Sequence, residues 1–248
     1  MHPDWIVPDW PAPARVRAFM TTRSGGVSRP PWDSMNPAGH VGDDPAAVAA
    51  NRALLRAELP AEPLWLNQVH GVEVADQAGD EPPCADAGIA MQTGQVRVVM
   101  TADCLPVLFC DRSGTVVAAA HAGWRGLAAG VLEATMARMA VAPGDILVWL
   151  GAAIGPDAFE VGDEVREAFV SRHPLAAVAF RPALPGTLDG APRKWLADIY
   201  ALARIRLMEV GVGEVYGGGL CTWTDAERFF SYRRDGVTGR MASLIWLE

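Results

Sequence analysis

Two histidines and one cysteine are the residues of this chain whose types and positions point most directly to chemistry. His70 and His121 each lie beside a turn that follows a predicted strand, and Cys104 lies at the end of another. Because functional sites are usually built on loops at strand ends, we expect the three side chains to meet at one sheet edge. Imidazole nitrogen and thiolate sulfur suit Zn²⁺, and three protein ligands leave the fourth tetrahedral position open, as in catalytic zinc sites. The sequence therefore predicts a Zn²⁺ site at these three residues.

The spacing of these residues leaves an alternative open. They are 34 and then 17 residues apart, so no local metal-binding motif supports the cluster. The alternative is a buried thiol with two turn histidines. Asp103, next to Cys104, is a candidate general base or a partner that orients an imidazole. Adjacent side chains of a strand point to opposite faces, which favours the supporting or a structural role for Asp103.

Composition excludes several classes of function. The 248 residues carry a net charge of −8, with 29 acidic against 21 basic residues, so there is no basic field for nucleic acid. No apolar run approaches the roughly 20 residues that span a bilayer, and the N-terminus lacks a secretory pattern. We therefore expect a cytoplasmic protein with no nucleic-acid or membrane partner. The four cysteines are too unevenly spaced for a disulfide framework.

The elements that position these residues follow from the apolar pattern. Asp44 and Pro45 predict the start of a helix that runs to Leu59. Further helices are predicted at 126–139, 163–171 and 196–210. Strands are predicted at 15–22, 146–154, 212–216 and 241–247, and strands of one sheet at 64–69, 72–75, 96–101, 107–110 and 115–120, with Pro106 interrupting the strand pairing beside Cys104.

These elements predict a mixed α/β (α+β) fold. We find no internal repeat, no charge block and no linker, so one domain over residues 1–248 is favoured over two. We expect stacked mixed β-sheets flanked by helices.

Six segments in order along the chain closely resemble one known family. They are Thr21-Thr-Arg-Ser-Gly-Gly-Val-Ser28 and the segments at 67–71, 101–106, 121–126, 154–156 and 219–222. The resemblance is to the YfiH-like family, described as laccase-like polyphenol oxidase, as peptidoglycan editing factor and as purine nucleoside phosphorylase. It implies a single α/β domain with sheets stacked between helices, and zinc held by His70, Cys104 and His121.

The resemblance also implies several activities. One is phosphorolysis of adenosine, inosine and methylthioadenosine with some adenosine deamination, so the partners would be a small-molecule nucleoside and phosphate. Another is hydrolytic removal of L-serine from a UDP-MurNAc peptidoglycan precursor, a UDP-linked cell-wall precursor. A third is phenol oxidation with Cu²⁺ at the same site, although a multicopper oxidase would need roughly ten imidazoles and the chain has five histidines.

Two further expectations concern assembly and a non-enzymatic alternative. We expect a monomer or a weak homodimer. A zinc-stabilised binding protein would need a fourth protein ligand, for which Cys221 or Asp103 are candidates.

Phosphorolysis adds candidates for substrate binding. Guanidinium groups must gather the phosphate, and the candidates are Arg23 beside the Gly-Gly turn, Arg125 four residues after His121, and Arg233 near the C-terminus. Gln68 is a candidate for hydrogen bonding to a purine or ribose, although amides near strand ends more often bond to turn backbone.

Overall fold

Strands and helices are interspersed along the whole chain, which confirms the mixed α/β class. The computed structural model describes residues 2–77, 79, 81–183 and 193–248. Its strands are β1 Val16–Met20, β2 Val74–Ala75, β3 Ala87–Ala90, β4 Arg97–Thr101, β5 Leu105–Asp111, β6 Val117–Ala122, β7 Ile146–Leu150, β8 Glu160–Gly162, β9 Phe180–Pro182, β10 Lys194–Ala197, β11 Glu214–Gly217 and β12 Met241–Leu247. Its α-helices are α1 Pro45–Arg56, α2 Trp124–Ala129, α3 Val131–Met139, α4 Asp163–Val170, α5 Ile199–Glu209 and α6 Tyr232–Asp235, with 3₁₀ turns at Pro143–Asp145 and Pro174–Ala179.

The central layer is a six-stranded mixed sheet in the order β11-β7-β5-β6-β3-β2. Strand β5 shows why this sheet is buried on both faces. Val107 and Phe109 pack with helix residues such as Leu132, whereas Leu108 packs with Val99 and Ile245 of a second sheet. Because side chains alternate along a strand, each face of β5 joins a different core. The fold is therefore two stacked sheets with helices on the outer face of the larger one, as predicted.

The second sheet has the order β1-β12-β4, and both of its pairings are antiparallel. A third sheet, in the order β8-β10-β9, lies beside α4 and the 3₁₀ turn at Pro174–Ala179. Among the described residues, no helix is long and apolar enough to cross a membrane.

The prediction that five strands share one sheet is wrong in two respects. Residues 64–69 form only isolated bridges, from Leu64 to Arg97 and from Asn67 to Cys84. Strand β4 exists as predicted but belongs to the second sheet. Periodicity identifies an extended segment but carries no information on which strand it pairs with. It therefore cannot assign strands to one sheet or the other.

Pro106 does not interrupt the pairing, contrary to the prediction. It lies within β5 opposite His121 of β6, and its carbonyl accepts a hydrogen bond of 2.9 Å from the Gly151 amide. The side of Pro106 that lacks an N–H faces the end of β7, where strand pairing stops at Leu150. A proline is tolerated there because little pairing is lost.

The predicted helix at 126–139 is two helices. It begins earlier, at Trp124, and Gly130 with φ 110° separates α2 from α3. Glycine adopts this left-handed conformation without the steric cost of a Cβ, which is why the helix breaks at this residue. The start of α1 is confirmed, because the Asp44 side chain accepts a hydrogen bond from the Ala46 amide.

Candidate metal centre

Two adjacent strands and one loop bring together the three predicted ligands. His121 lies near the end of β6, and Cys104 immediately precedes β5, the strand paired with β6. His70 lies in the loop before β2. The potential ligand atoms of the three residues all lie within 4.8 Å of one another. The structure thus forms the cluster that the sequence predicted only by assuming that strand ends converge.

The geometry of the cluster fits a tetrahedral metal ion. The Cys104 sulfur lies 3.7 Å from Nε2 of His70, and the two imidazole rings are 4.7 Å apart at an angle of 74°. Zinc bond lengths of about 2.3 Å to sulfur and 2.1 Å to nitrogen place tetrahedral ligands roughly 3.5 Å apart. His121 is buried, Cys104 half-buried and His70 exposed, so the cluster is open on the His70 side.

A buried carboxylate, Asp86, holds both histidines in place. It lies 2.7 Å from Nδ1 of His121, which leaves Nε2 of that ring for the cluster. The same carboxylate accepts hydrogen bonds from the amides of Val69, His70 and Gly71 at 3.2, 2.9 and 2.6 Å. It therefore fixes the loop in which His70 adopts a φ of 61°. Metal-binding histidines commonly have such a partner on the second ring nitrogen, and Asp86 supplies it for His121, while it holds His70 through the backbone amide.

Sequence reasoning missed Asp86. Its signal is an acid directly before the buried strand β3, at a position with no exposed surface. A buried carboxylate is costly unless it is paired, so an acid in an apolar run indicates a partner without identifying it.

Gly123 leaves the space in which the ligands meet. A Cβ at this residue would lie 2.6 Å from Cδ2 of His70 and 3.0 Å from the Cys104 sulfur. A side chain here would displace the ligands, so a glycine is required for their close approach. This cradle is a second observation, besides the donor set, that the residues fit a metal ion.

The electrostatics of the cluster favour the ligand form of the thiol. Burial raises the pKa of Cys104, but the neighbouring His121 and His70 outweigh it and lower that pKa to about 6. Burial lowers the pKa of His121, whereas the Cys104 thiolate and the Asp86 carboxylate raise it more strongly. The cluster therefore holds a thiolate beside a proton-bearing imidazole, and metal binding would release that proton.

Two cavities adjoin the cluster and share Cys104 as a common wall. The histidine-side cavity has a volume of about 380 Å³, and its lining includes His40, His70, Thr101 and Arg240. The arginine-side cavity has a volume of about 260 Å³, and its lining includes Asp103, Trp124, Arg125, Phe159 and Arg233. Tyr232 and Ala102 line both. Cys104 therefore lies between the two cavities, with a face towards each.

The structure distributes the predicted binding residues unevenly. Arg125 and Arg233 both line the arginine-side cavity, whereas Gln68 lines the histidine-side cavity, with its amide bonded in both directions to the Met100 backbone at 2.8 Å. Arg23 lines neither of these cavities. Its guanidinium pairs with Asp33 at 3.2 Å and donates to a backbone carbonyl at residue 226.

Asp103 contacts backbone and hydroxyl groups instead of an imidazole. Its carboxylate accepts hydrogen bonds from the Thr222 hydroxyl and the Arg233 amide, both at 2.6 Å. It thus ties the segment before β5 to the C-terminal region. Among the residues that the structure describes, neither Asp103 nor Cys221 joins the ligand cluster, and Cys221 instead accepts a hydrogen bond from the Gly155 amide. The closed, four-ligand alternative therefore gains no support.

Nearly the whole chain is similar to known proteins. The family model described as multi-copper polyphenol oxidoreductase laccase matches residues 17–248. A purine nucleoside phosphorylase of Pseudomonas aeruginosa is 58% identical over 244 residues, and the purine nucleoside phosphorylase YfiH of Escherichia coli is 56% identical over 246 residues. Each match covers 98% of both chains.

Solved structures show the same fold. A Neisseria meningitidis protein of the DUF152 family is 52% identical, with a TM-score of 0.92 over 99% of both chains. YlmD from Geobacillus stearothermophilus is 31% identical, with a TM-score of 0.83 over 98% of this chain and 96% of that one. These matches extend over nearly the whole length of both chains.

Proposed function

This chain belongs to the YfiH family, described as multi-copper polyphenol oxidoreductase laccase, and we propose that it is a zinc-dependent purine nucleoside phosphorylase. Its proposed substrates are adenosine, inosine and methylthioadenosine, with adenosine deamination as a second activity. The observation that carries the proposal is the cluster of His70, Cys104 and His121 at the junction of two cavities, in a chain whose relatives bear the phosphorylase name.

The proposed reaction exchanges one bond for another. The bond between the ribose anomeric carbon and the purine nitrogen breaks, and its electron pair stays on the purine. A phosphate oxygen forms the new bond to the anomeric carbon. The proton of hydrogen phosphate balances the one that the free base gains. The products are the base and ribose 1-phosphate.

The chain's own residues supply binding and orientation for this reaction. His70, Cys104 and His121 would hold the zinc ion, which when bound supplies a Lewis acid that stabilises developing negative charge. Asp86 holds the His121 ring and the His70 loop in the ligand geometry.

A multi-copper centre, as in the family description, does not fit the histidines of this chain. Among the described residues the structure forms one His/Cys cluster, of three ligands, and the whole chain has five histidines. A multinuclear copper centre needs more imidazoles than this. We therefore propose a single ion at this cluster, with Cu²⁺ as the competing occupant.

A product assay tests the proposal. Zinc-loaded protein is incubated with adenosine, with and without phosphate, and the products are separated by chromatography. We expect adenine and ribose 1-phosphate only with phosphate. Inosine should accumulate without phosphate and be cleaved further to hypoxanthine when phosphate is present. Cys104→Ala should abolish all products, whereas Cys84→Ala, at an exposed cysteine outside the cluster, should not. Absence of both adenine and inosine with the loaded protein would refute the proposal.

A further inference from the structure

Arg240 is an arginine of the histidine-side cavity that sequence reasoning did not single out. Its Nη1 donates to the carbonyls of Thr238 and Gly239 at 3.1 and 3.0 Å, which fixes the base of the guanidinium. Within the described part of the chain, Nε and Nη2 have no hydrogen-bond partner and the guanidinium has no carboxylate partner. The side chain lines the same cavity as Cys104 and both histidine ligands.

Two other partly buried arginines, Arg234 and Arg23, each have a carboxylate partner. Arg234 pairs with Asp235 at 2.8 Å, and Arg23 with Asp33 at 3.2 Å. An arginine with an adjacent carboxylate has little remaining affinity for a second anion, since its charge is already compensated. Arg240 is therefore the guanidinium of this cavity that is held rigidly and remains available for an anionic ligand.

Thr101 provides an independent observation at the same cavity. It is 1% exposed, lines the histidine-side cavity, and its hydroxyl oxygen has no hydrogen-bond partner among the described residues. Leaving a buried hydroxyl without a hydrogen-bond partner is unfavourable. A ligand oxygen in the cavity would satisfy both this hydroxyl and the free donors of Arg240.

The arginine-side cavity has a different character. Its wall includes Ile154, Ile199 and three aromatic side chains, and its arginines lie over two of those rings, with Arg125 4.5 Å from Trp124 and Arg233 5.7 Å from Phe159. Arg125 is exposed, and Arg233 already donates to the Glu160 carbonyl at 2.8 Å. An apolar slot with aromatic walls suits a flat ring better than a compact dianion.

We propose that Arg240 and Thr101 form the phosphate subsite, so that inorganic phosphate enters from the histidine-side cavity and the nucleoside base lies across Cys104 in the arginine-side cavity. This inference rests on the proposed phosphorylase function. Arg240 presents its Nε and Nη2 donors to two phosphate oxygens, and the Thr101 hydroxyl donates to a third. The fork geometry of a guanidinium matches this two-point contact, which an ammonium group cannot reproduce.

Kinetics with variants of these residues test the subsite. In Arg240→Gln, we expect the KM for phosphate to rise about 10- to 100-fold, as for loss of a charged hydrogen-bonded contact, while the KM for adenosine changes less than about 2-fold. Arg240→Lys should recover only part of this loss, and Thr101→Val should raise the phosphate KM less than Arg240→Gln does. Arg138→Gln, at an exposed ion pair with Asp76 away from both cavities, is the matched control and should leave both constants unchanged.

Binding measurements separate failure of this inference from failure of the phosphorylase proposal. Calorimetric titration with inorganic phosphate alone should show weaker binding to Arg240→Gln than to the parent, whether or not any nucleoside is cleaved. If the parent cleaves adenosine but Arg125→Gln raises the phosphate KM and Arg240→Gln does not, the subsite assignment is overturned and the phosphorylase proposal stands. If Arg240→Gln weakens binding of adenosine 5′-monophosphate but not of inorganic phosphate, Arg240 binds a phosphate group of the substrate, and the inference is also overturned.

Discussion

Among the residues outside the ligand set, Asp86 is the one whose replacement we expect to weaken metal binding most. Asp86→Asn removes the negative charge that orients the His121 ring and weakens the hydrogen bonds that hold the His70 loop. We expect zinc affinity to fall about 10- to 100-fold, the usual effect of losing such a partner. Competition with a chromophoric chelator measures it. Asp76→Asn, at an exposed carboxylate paired with Arg138, should bind zinc as the parent does, and equal affinity of the two variants would contradict the role of Asp86.

The cysteines differ in reactivity for physical reasons that labelling can check. In metal-free protein at pH 7, Cys104 with a pKa of about 6 is mainly thiolate, whereas burial raises the pKa of Cys110 to about 12. We expect iodoacetamide to modify Cys104 rapidly and Cys110 only after unfolding, as followed by peptide mass spectrometry. The Cys104 rate should decline as the pH falls below about 6, and zinc should protect it. Rapid labelling of Cys104 in the presence of excess zinc would show that the thiol is not a ligand.

Residue types predicted the members of the cluster but not the groups that support them. His70, Cys104 and His121 stand out because few side chains bind soft metals. Asp86 and Arg240 do not stand out, since acids and arginines are common and their role depends on which neighbours the fold supplies. Arg23 shows the converse: its position beside a glycine turn suggested ligand binding, yet the fold pairs it with Asp33.

The break between helices α2 and α3 can be tested by substitution of Gly130. If 126–139 were one helix, Gly130→Ala would stabilise the protein by about 1 kcal/mol, because alanine favours helix interiors. In the structure Gly130 has φ 110°, so a Cβ is strained, and we expect destabilisation of about 1–2 kcal/mol. Urea unfolding measures the sign. Gly144→Ala, where a Cβ meets no atom within 4 Å and φ is not positive, controls for a general effect of the substitution. Stabilisation by Gly130→Ala would support a continuous helix.

Most elements were predictable from local pattern, whereas their partners were not. The cap at Asp44 and the buried strand β7 follow from short-range signals that do not depend on the rest of the fold. The assignment of β4 to the second sheet depends on β12, about 140 residues later in the chain. Pairing over such a separation leaves no periodic trace in either strand.

Across the whole molecule, the candidate metal centre joins three distant parts of the chain. Its ligands come from the loop before β2, the start of β5 and the end of β6, and Asp86 joins the first of these to the last. The unfolded chain does not hold these groups together, so a metal ion binds the native state far better than the unfolded state. The free energy of metal binding therefore adds directly to the free energy of unfolding.

This coupling predicts a large thermal shift. At free zinc about 1,000-fold above its dissociation constant, the native state gains about 4 kcal/mol, and for a chain of this size each kcal/mol raises Tm by about 2–4 °C. We expect Tm to rise by about 8–16 °C between chelator-treated and zinc-loaded protein, as measured by scanning calorimetry. Cys104→Ala should lose most of this shift, because two imidazoles alone hold zinc weakly, while Cys84→Ala should keep it. A zinc-dependent shift of equal size in Cys104→Ala would place the ion elsewhere in the molecule, and the cluster would then have no role in holding it.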